Sequence, residues 1–185
     1  MVRKIPEELE NPIDDIIILM ADKSDILYKN LNMTPNHLTT LSLIFGIFAA
    51  QQLYVGNKAL AVVLFLIAYY YDCMDGNYAR KYDMETVFGD YYDHFSDWFK
   101  YLILFVVMYN LNPKKAKIVI PIILLLCIPM AIHFGCQEKL YNQHTKQPLI
   151  SNQKYLCPNE KYINITKYFG SGTFIMATVI FMYTF

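Results

Sequence analysis

Charge is scarce in this chain, and cysteine, glycine and tryptophan are scarcer still. Of 185 residues only 17% are charged, and 16 basic side chains balance 16 acidic ones. A formal net charge of zero leaves no basic field to recruit nucleic acid. The four cysteines, Cys73, Cys127, Cys136 and Cys157, lack any metal-ligand spacing, and three lie in or beside apolar stretches. They read as reduced structural thiols. There is no internal repeat and no low-complexity tract. Residues 1–12 carry three Glu and two Pro, so no cleavable signal peptide is expected at the start.

What the chain has instead is apolar length. It is 55% hydrophobic, with 12 Phe and 16 Tyr. The apolar residues gather in long consecutive runs that exceed the needs of a small soluble core. Five spans are expected: Leu38 to Val55, Ala59 to Tyr71, Val87 through the run Tyr101 to Tyr109, Ile118 to Phe134, and Ile163 to Phe185. The second is short and the third is apolar only in its second half. Before them, Ile13, Ile16, Ile17, Met20 and Leu27 fall near one face of a helix over residues 13–29. That pattern fits an amphipathic helix in the membrane interface or one packed on protein. The fold class is therefore all-α: a polytopic membrane bundle of five to six spans with an N-terminal interfacial helix. Residues 1–33 form the N-terminal segment and 34–185 the membrane domain, with its core at 34–110.

Short breaks punctuate the spans. Thr34-Pro35 suits an N-cap followed by the first helical turn, which leaves Asn36 and His37 unexplained. Pro121 and Pro129 are expected to kink the fourth span. Two Asn-x-Thr sequons, at Asn32 and Asn164, read as chance matches. Lys139, Lys146, Lys154 and Lys161 place the Arg80 loop and the long polar stretch in the cytoplasm under the positive-inside rule, whereas Lys114, Lys115 and Lys117 pull the other way.

Between Asp72 and Asp97 the chain breaks its own economy of charge. The stretch reads Asp72-x-x-Asp75-Gly76-x-x-Ala79-Arg80, then eight residues, then Gly89-x-x-x-Asp93-x-x-x-Asp97. Charge inside a membrane protein is costly and marks function. On helices, Asp72, Asp75 and Ala79 share one stripe, and Gly89, Asp93 and Asp97 another. Facing stripes would bring four carboxylates together, which requires cations. Aspartate oxygens suit Mg²⁺ or Mn²⁺, and two ions can share such a set. Gly76, Ala79 and Gly89 let a ligand approach the backbone. Arg80 offers a planar fork for phosphate oxygens. A solvated helix end or plain helix packing explains any one of these residues, but not all eight together.

These eight positions match the signature of the CDP-alcohol phosphatidyltransferase family, which the stretch from Asn11 to about Tyr109 resembles. The resemblance implies a homodimeric membrane enzyme of about six helices. Such an enzyme moves a substituted phosphate from a CDP-linked donor to an alcohol or lipid acceptor, releasing CMP, in phospholipid synthesis. It implies two divalent ions on Asp72, Asp75, Asp93 and Asp97. It also implies CDP contacts from Asp72, Gly76, Ala79, Arg80 and Gly89, with help from Thr34-Pro35-Asn36. Asp97 would be the general base. The run Asp93-His94-Phe95-Ser96-Asp97 resembles the choline and ethanolamine branch, where a histidine at the place of His94 is a second candidate base. Asp90 could orient His94 from one turn away. The donor would be CDP-choline, CDP-ethanolamine or CDP-diacylglycerol. The site would face the cytoplasm, on an endoplasmic-reticulum-type membrane in a eukaryote. A cation channel or carrier is the other class of reading, and it has no use for Gly76, Ala79, Arg80 and Gly89. His133, Cys136, Gln137, Glu138 and Lys139 are lower-ranked candidates for acceptor contact.

Overall fold

The computed structural model describes residues 4–141 and 152–185. Among the described residues it is helical without strands. The long helices are α1 (Pro12–Asn30), α2 (Pro35–Tyr54), α3 (Lys58–Lys81), α4 (Val87–Leu111) and α5 (Pro113–Tyr141). The short α6 (Ile163–Thr166) leads through a 3₁₀ turn into α7 (Ser171–Thr184).

Local chemistry sets each boundary. Asn11 caps α1 by accepting from Ile13 N at 3.0 Å, with Pro12 in the first turn. His37 completes the start of α2, its Nδ1 accepting the Thr34 N–H at 3.0 Å. His37 is thus a capping residue at the mouth of the first span. Gly56, at φ 86°, closes the tight α2–α3 turn in a conformation that L side chains resist. After α3, Asp83 takes the left-handed conformation (φ 53°) and Met84 N–H returns to Ala79 O at 2.8 Å. Thr86 then caps α4, accepting from Gly89 N at 2.9 Å. This tight return lays α4 antiparallel to α3, so the end of one and the start of the other lie together.

Among the described residues three stretches are long and apolar enough to cross a membrane: α3, α5, and the run Ile163–Thr184. At 1.5 Å per residue, α2 and α4 also reach roughly 30 Å or more. Thr39 and Ser42 of α2 and Asp90, Ser96 and Lys100 of α4 are buried, and α2 packs on both α3 and α4. Helix α5 continues unbroken through Pro121 and Pro129. The main apolar core lies away from the acidic stretch, where Leu53, Phe65, Leu104, Met108, Ile123 and Met182 meet. On the outside of α4, Tyr91, Phe95, Trp98, Leu102 and Val106 form a stripe open to the surroundings.

Helix α1 is amphipathic in the sense that suits an interface. Ile16, Leu19, Met20, Ile26, Leu27 and Leu31 are all exposed. At 100° per residue they span an arc of about 140°. The opposite side buries Asp14, Ala21 and Asp25 against the bundle. The helix therefore turns its apolar face outward, away from protein, as a bilayer interface requires. It is also bonded into the bundle. Lys81 Nζ pairs with Asp22 (2.7 Å) and with Asp25. Asn11 Nδ2 donates to Lys167 O (2.7 Å) and Thr173 Oγ1 (2.8 Å). Asp14 accepts from Ser171 Oγ (2.8 Å) and from Tyr69 Oη. Burial holds the Asp14 carboxyl well above its ordinary range, at about 7.

One expectation is corrected. Cys136 and Cys157 form a disulfide, with Cα atoms 4.8 Å apart, and Cys73 and Cys127 alone remain thiols. The reason is topological. The chain after α5 turns back along it, so two cysteines 21 residues apart meet at the last turns of that helix. Sequence spacing alone does not reveal such a return.

Candidate active site

The site lies where the end of α3, the start of α4 and the start of α2 converge. Asp72 and Asp75 project from α3 and Asp93 and Asp97 from α4, on facing stripes as the spacing predicts. Ligand oxygens of Asp72, Asp93 and Asp97 all lie within 4.8 Å of one another. Asp93 Oδ1 is buried without a hydrogen-bond partner among the described residues. An orphaned carboxylate oxygen in a group of three, all of hard oxygen chemistry, fits a divalent cation such as Mg²⁺ or Mn²⁺. Asp75 stands outside this trio. It is 5% exposed, and Thr39 Oγ1 donates to its Oδ2.

Beside the trio is a cleft whose lining includes Pro35, Asn36, Thr39, Asp75, Gly76, Ala79, Thr86, Gly89, Asp90 and Asp93. One of its small residues is small for a visible reason. A Cβ at Gly89 would come within 3.0 Å of Thr86 Oγ1 and 3.3 Å of Asn36 Oδ1. Gly89 thus lets α2 and α4 close on each other at Asn36. Near Gly76 the Arg80 guanidinium lies along its own helix, facing the charges of Glu85 and Asp75. Arg80 Nε is buried and has no hydrogen-bond partner among the described residues. Thr34 stays outside the cleft as the cap of α2.

His94 is held apart from the trio. Its Nδ1 contacts the Asp90 carbonyl oxygen at 2.8 Å and lies 3.6 Å from Asp90 Oδ1. Asp90 therefore orients it, chiefly through its backbone. Asp97, at 39% side-chain exposure, is more open than Asp72 at 24%. Of the lower-ranked candidates, His133 is fully buried between Thr166 Oγ1 (3.2 Å) and Gln137 Nε2 (2.8 Å). Glu138 pairs with Lys4 at 2.6 Å, and Cys136 is in the disulfide. These residues fasten the C-terminal segment and the N-terminus to α5.

Three residues escape the sequence reading. Thr39 and Ser42 on α2 are three apart, matching the spacing of the aspartates they touch. Thr39 bonds Asp75, and Ser42 Oγ lies 3.3 Å from Asp72 Oδ1. Lys100 is the third, 5% exposed, with Nζ 2.7 Å from Asp72 Oδ1, Asp97 Oδ1 and Ser42 Oγ. A readable signal existed: Thr39, Ser42 and Gly46 form a stripe of small residues on α2, and Lys100 stands one turn beyond Asp97 in an apolar run.

Comparison with known proteins bears on the family. A 93-residue stretch is 27% identical to the archaetidylinositol phosphate synthase of Pyrococcus horikoshii, covering 50% of this chain and 45% of that protein. Less than half of that relative's length is thus matched. No solved structure matches. The family model for CDP-alcohol phosphatidyltransferase matches residues 32–184, beginning and ending later than the Asn11–Tyr109 stretch of the sequence resemblance. With that model covering most of its length, the chain belongs to the CDP-alcohol phosphatidyltransferase family.

Proposed function

We propose that the chain is an integral-membrane phosphotransferase of phospholipid synthesis. It moves a substituted phosphate from a CDP-linked donor to an alcohol acceptor and releases CMP. The observation that carries this reading is the meeting, in one place, of three carboxylates within 4.8 Å and a cleft walled by Gly76, Ala79 and Gly89. A cation channel has no need of that thin wall.

In this reading Asp72, Asp93 and Asp97, with Asp75 at their side, hold two divalent ions of the Mg²⁺ or Mn²⁺ kind. Bound there, such ions neutralise the diphosphate and make CMP a better leaving group. Asn36, Gly76, Ala79 and Gly89 receive the cytidine nucleotide, and Pro35 sets the start of α2 beneath it. Thr34 contributes by capping that helix. Arg80, free at Nε, places its fork on a phosphate. The acceptor oxygen bonds to the phosphorus distal to cytidine, and the bridging P–O bond breaks in line. The hydroxyl proton passes to Asp97, the more open acid. His94, oriented by Asp90, is the rival base.

The relative's name joins a lipid to an inositol phosphate, which favours CDP-diacylglycerol-type donors over CDP-choline and CDP-ethanolamine. We take the enzyme to act as a homodimer, with the aspartate end toward the cytoplasm. The disulfide at that end is the opposing observation, since such bonds are rare in reducing compartments. Labelling of engineered single cysteines in sealed vesicles decides the side.

The central test incubates purified protein, Mn²⁺ and a panel of labelled CDP-donors with glycerol-, inositol- and diacylglycerol-type acceptors, scoring CMP and lipid product. CMP release from one donor is expected; its absence from all of them sinks the reading. Asp97→Asn should lose turnover while still binding CDP. If His94→Ala does so and Asp97→Asn does not, the proton goes to His94 instead.

A further inference from the structure

Lys100 is a buried cation in the middle of the aspartate site, and none of the roles above uses it. Its ammonium touches Asp72, Asp97 and Ser42 at 2.7 Å each. Its stem is equally constrained. A Cβ on Gly46 of α2 would sit 2.7 Å from Lys100 Cγ and 2.8 Å from Cδ. Gly46 is therefore the notch through which the side chain reaches the cluster. Helix α2 contributes both the notch and, one turn earlier, the Ser42 hydroxyl that fixes the ammonium. A side chain guided along its stem and bonded three ways at its tip is built into the site.

Its two carboxylate partners belong to the same trio whose oxygens lie within 4.8 Å. Unpaired, Asp72 and Asp97 would repel at close range. A lysine there lets them stay together without metal. The same positive charge, a few ångströms from any divalent ion held by the trio, opposes that ion.

We propose that Lys100 is a positioning residue that serves as a tethered counter-cation: it keeps Asp72 and Asp97 assembled in the metal-free chain and holds down the site's affinity for divalent ions. This rests on the metal-binding part of the function proposed above. The consequence for the enzyme is reversible metal loading, with a site that does not collapse or splay when empty.

The test is Mn²⁺ binding to the detergent-purified full chain, read from the electron paramagnetic resonance signal of free Mn²⁺, with no substrate present. Lys100→Met should bind Mn²⁺ at least tenfold more tightly than the wild type. It should also melt at lower temperature without metal and gain more from added Mn²⁺. A loss of stability alone would follow from any buried substitution; tighter metal binding would not. Equal or weaker Mn²⁺ binding by Lys100→Met, with the wild type binding normally, overturns the counter-cation role and leaves the metal site intact. Absence of Mn²⁺ binding in both proteins overturns the metal site itself and this role with it. Should Lys100→Met prove unrecoverable, Lys100→Gln carries the same measurement with a polar tip and no charge, and the same outcomes decide.

Discussion

Lys81 and Lys100 are each gripped by a pair of aspartates, yet the two clusters do different work. Lys81, at the end of α3, joins Asp22 and Asp25 of α1. Lys100, on α4, joins Asp72 of α3 to Asp97 of its own helix. In the first cluster two acids meet one base. In the second, Asp75 and Asp93 add two more carboxylates beside the pair that Lys100 holds. Similar parts make a clasp when charge is nearly balanced, and the proposed cation site when acid is in surplus.

The largest expected effect separates the two. Asp72→Asn should lower CMP release on the order of a thousandfold or more, because it removes an oxygen ligand where charge must be neutralised. Lys81→Met should leave turnover within a few-fold of wild type, since its ammonium touches neither the trio nor the cleft. It should instead cost about 3 kcal/mol of stability, leaving the 1%-exposed Asp25 side chain buried without its cation. A thermal melt beside the turnover assay checks both. If Lys81→Met loses turnover as heavily as Asp72→Asn, the division into clasp and site is wrong.

Asp14 offers a third arrangement, a buried carboxyl served by hydroxyls, with no cation in contact among the described residues. Tyr69 and Ser171 donate to it, and burial raises its pKa to about 7. In the unfolded chain an aspartate titrates near 3.9. Between those values the folded state holds the proton that the unfolded state releases, so stability is greatest at low pH and falls as pH rises toward 7. From pH 5 to pH 6.5 this one group should cost about 2 kcal/mol. Asp14→Asn should flatten that slope in melts recorded across the range. An unchanged slope would show that Asp14 keeps its charge when folded.

The sequence was informative where chemistry follows helical spacing and silent where it depends on the path between helices. Asp72, Asp75, Asp93 and Asp97 could be placed on facing stripes because residues three and four apart share a face. The α3–α4 return needed only Asp83 and Thr86 to bring those stripes together. The direction of α1 was open because the pattern gives a face without saying what lies on each side. Only the burial of Asp14, Ala21 and Asp25 shows that the apolar side looks outward. The Cys136–Cys157 bond was hidden by a return along α5. Lys100 was missed for another reason: a lone lysine in an apolar run looks like an interface residue until Gly46 is seen across from it.

Two glycine substitutions make the smallest and most local test. Gly56→Ala puts a side chain on a residue at φ 86° with nothing within 4 Å. It should cost about 1 kcal/mol through backbone strain and leave Mn²⁺ binding unaltered. Gly46→Ala has no backbone penalty, because the residue is helical and alanine favours a helix. Its cost comes from pressing on Lys100 at 2.7 Å, where α2, α3 and α4 leave the stem little room. A loss of about 1–2 kcal/mol is expected, with a measurable shift in Mn²⁺ affinity as the ammonium is displaced from Asp72 and Asp97. The two variants are comparable in stability and should differ in metal binding. If Gly46→Ala leaves Mn²⁺ affinity where Gly56→Ala leaves it, the route past Gly46 does not control where the ammonium sits, and the surplus-charge site tolerates its lysine in more than one place.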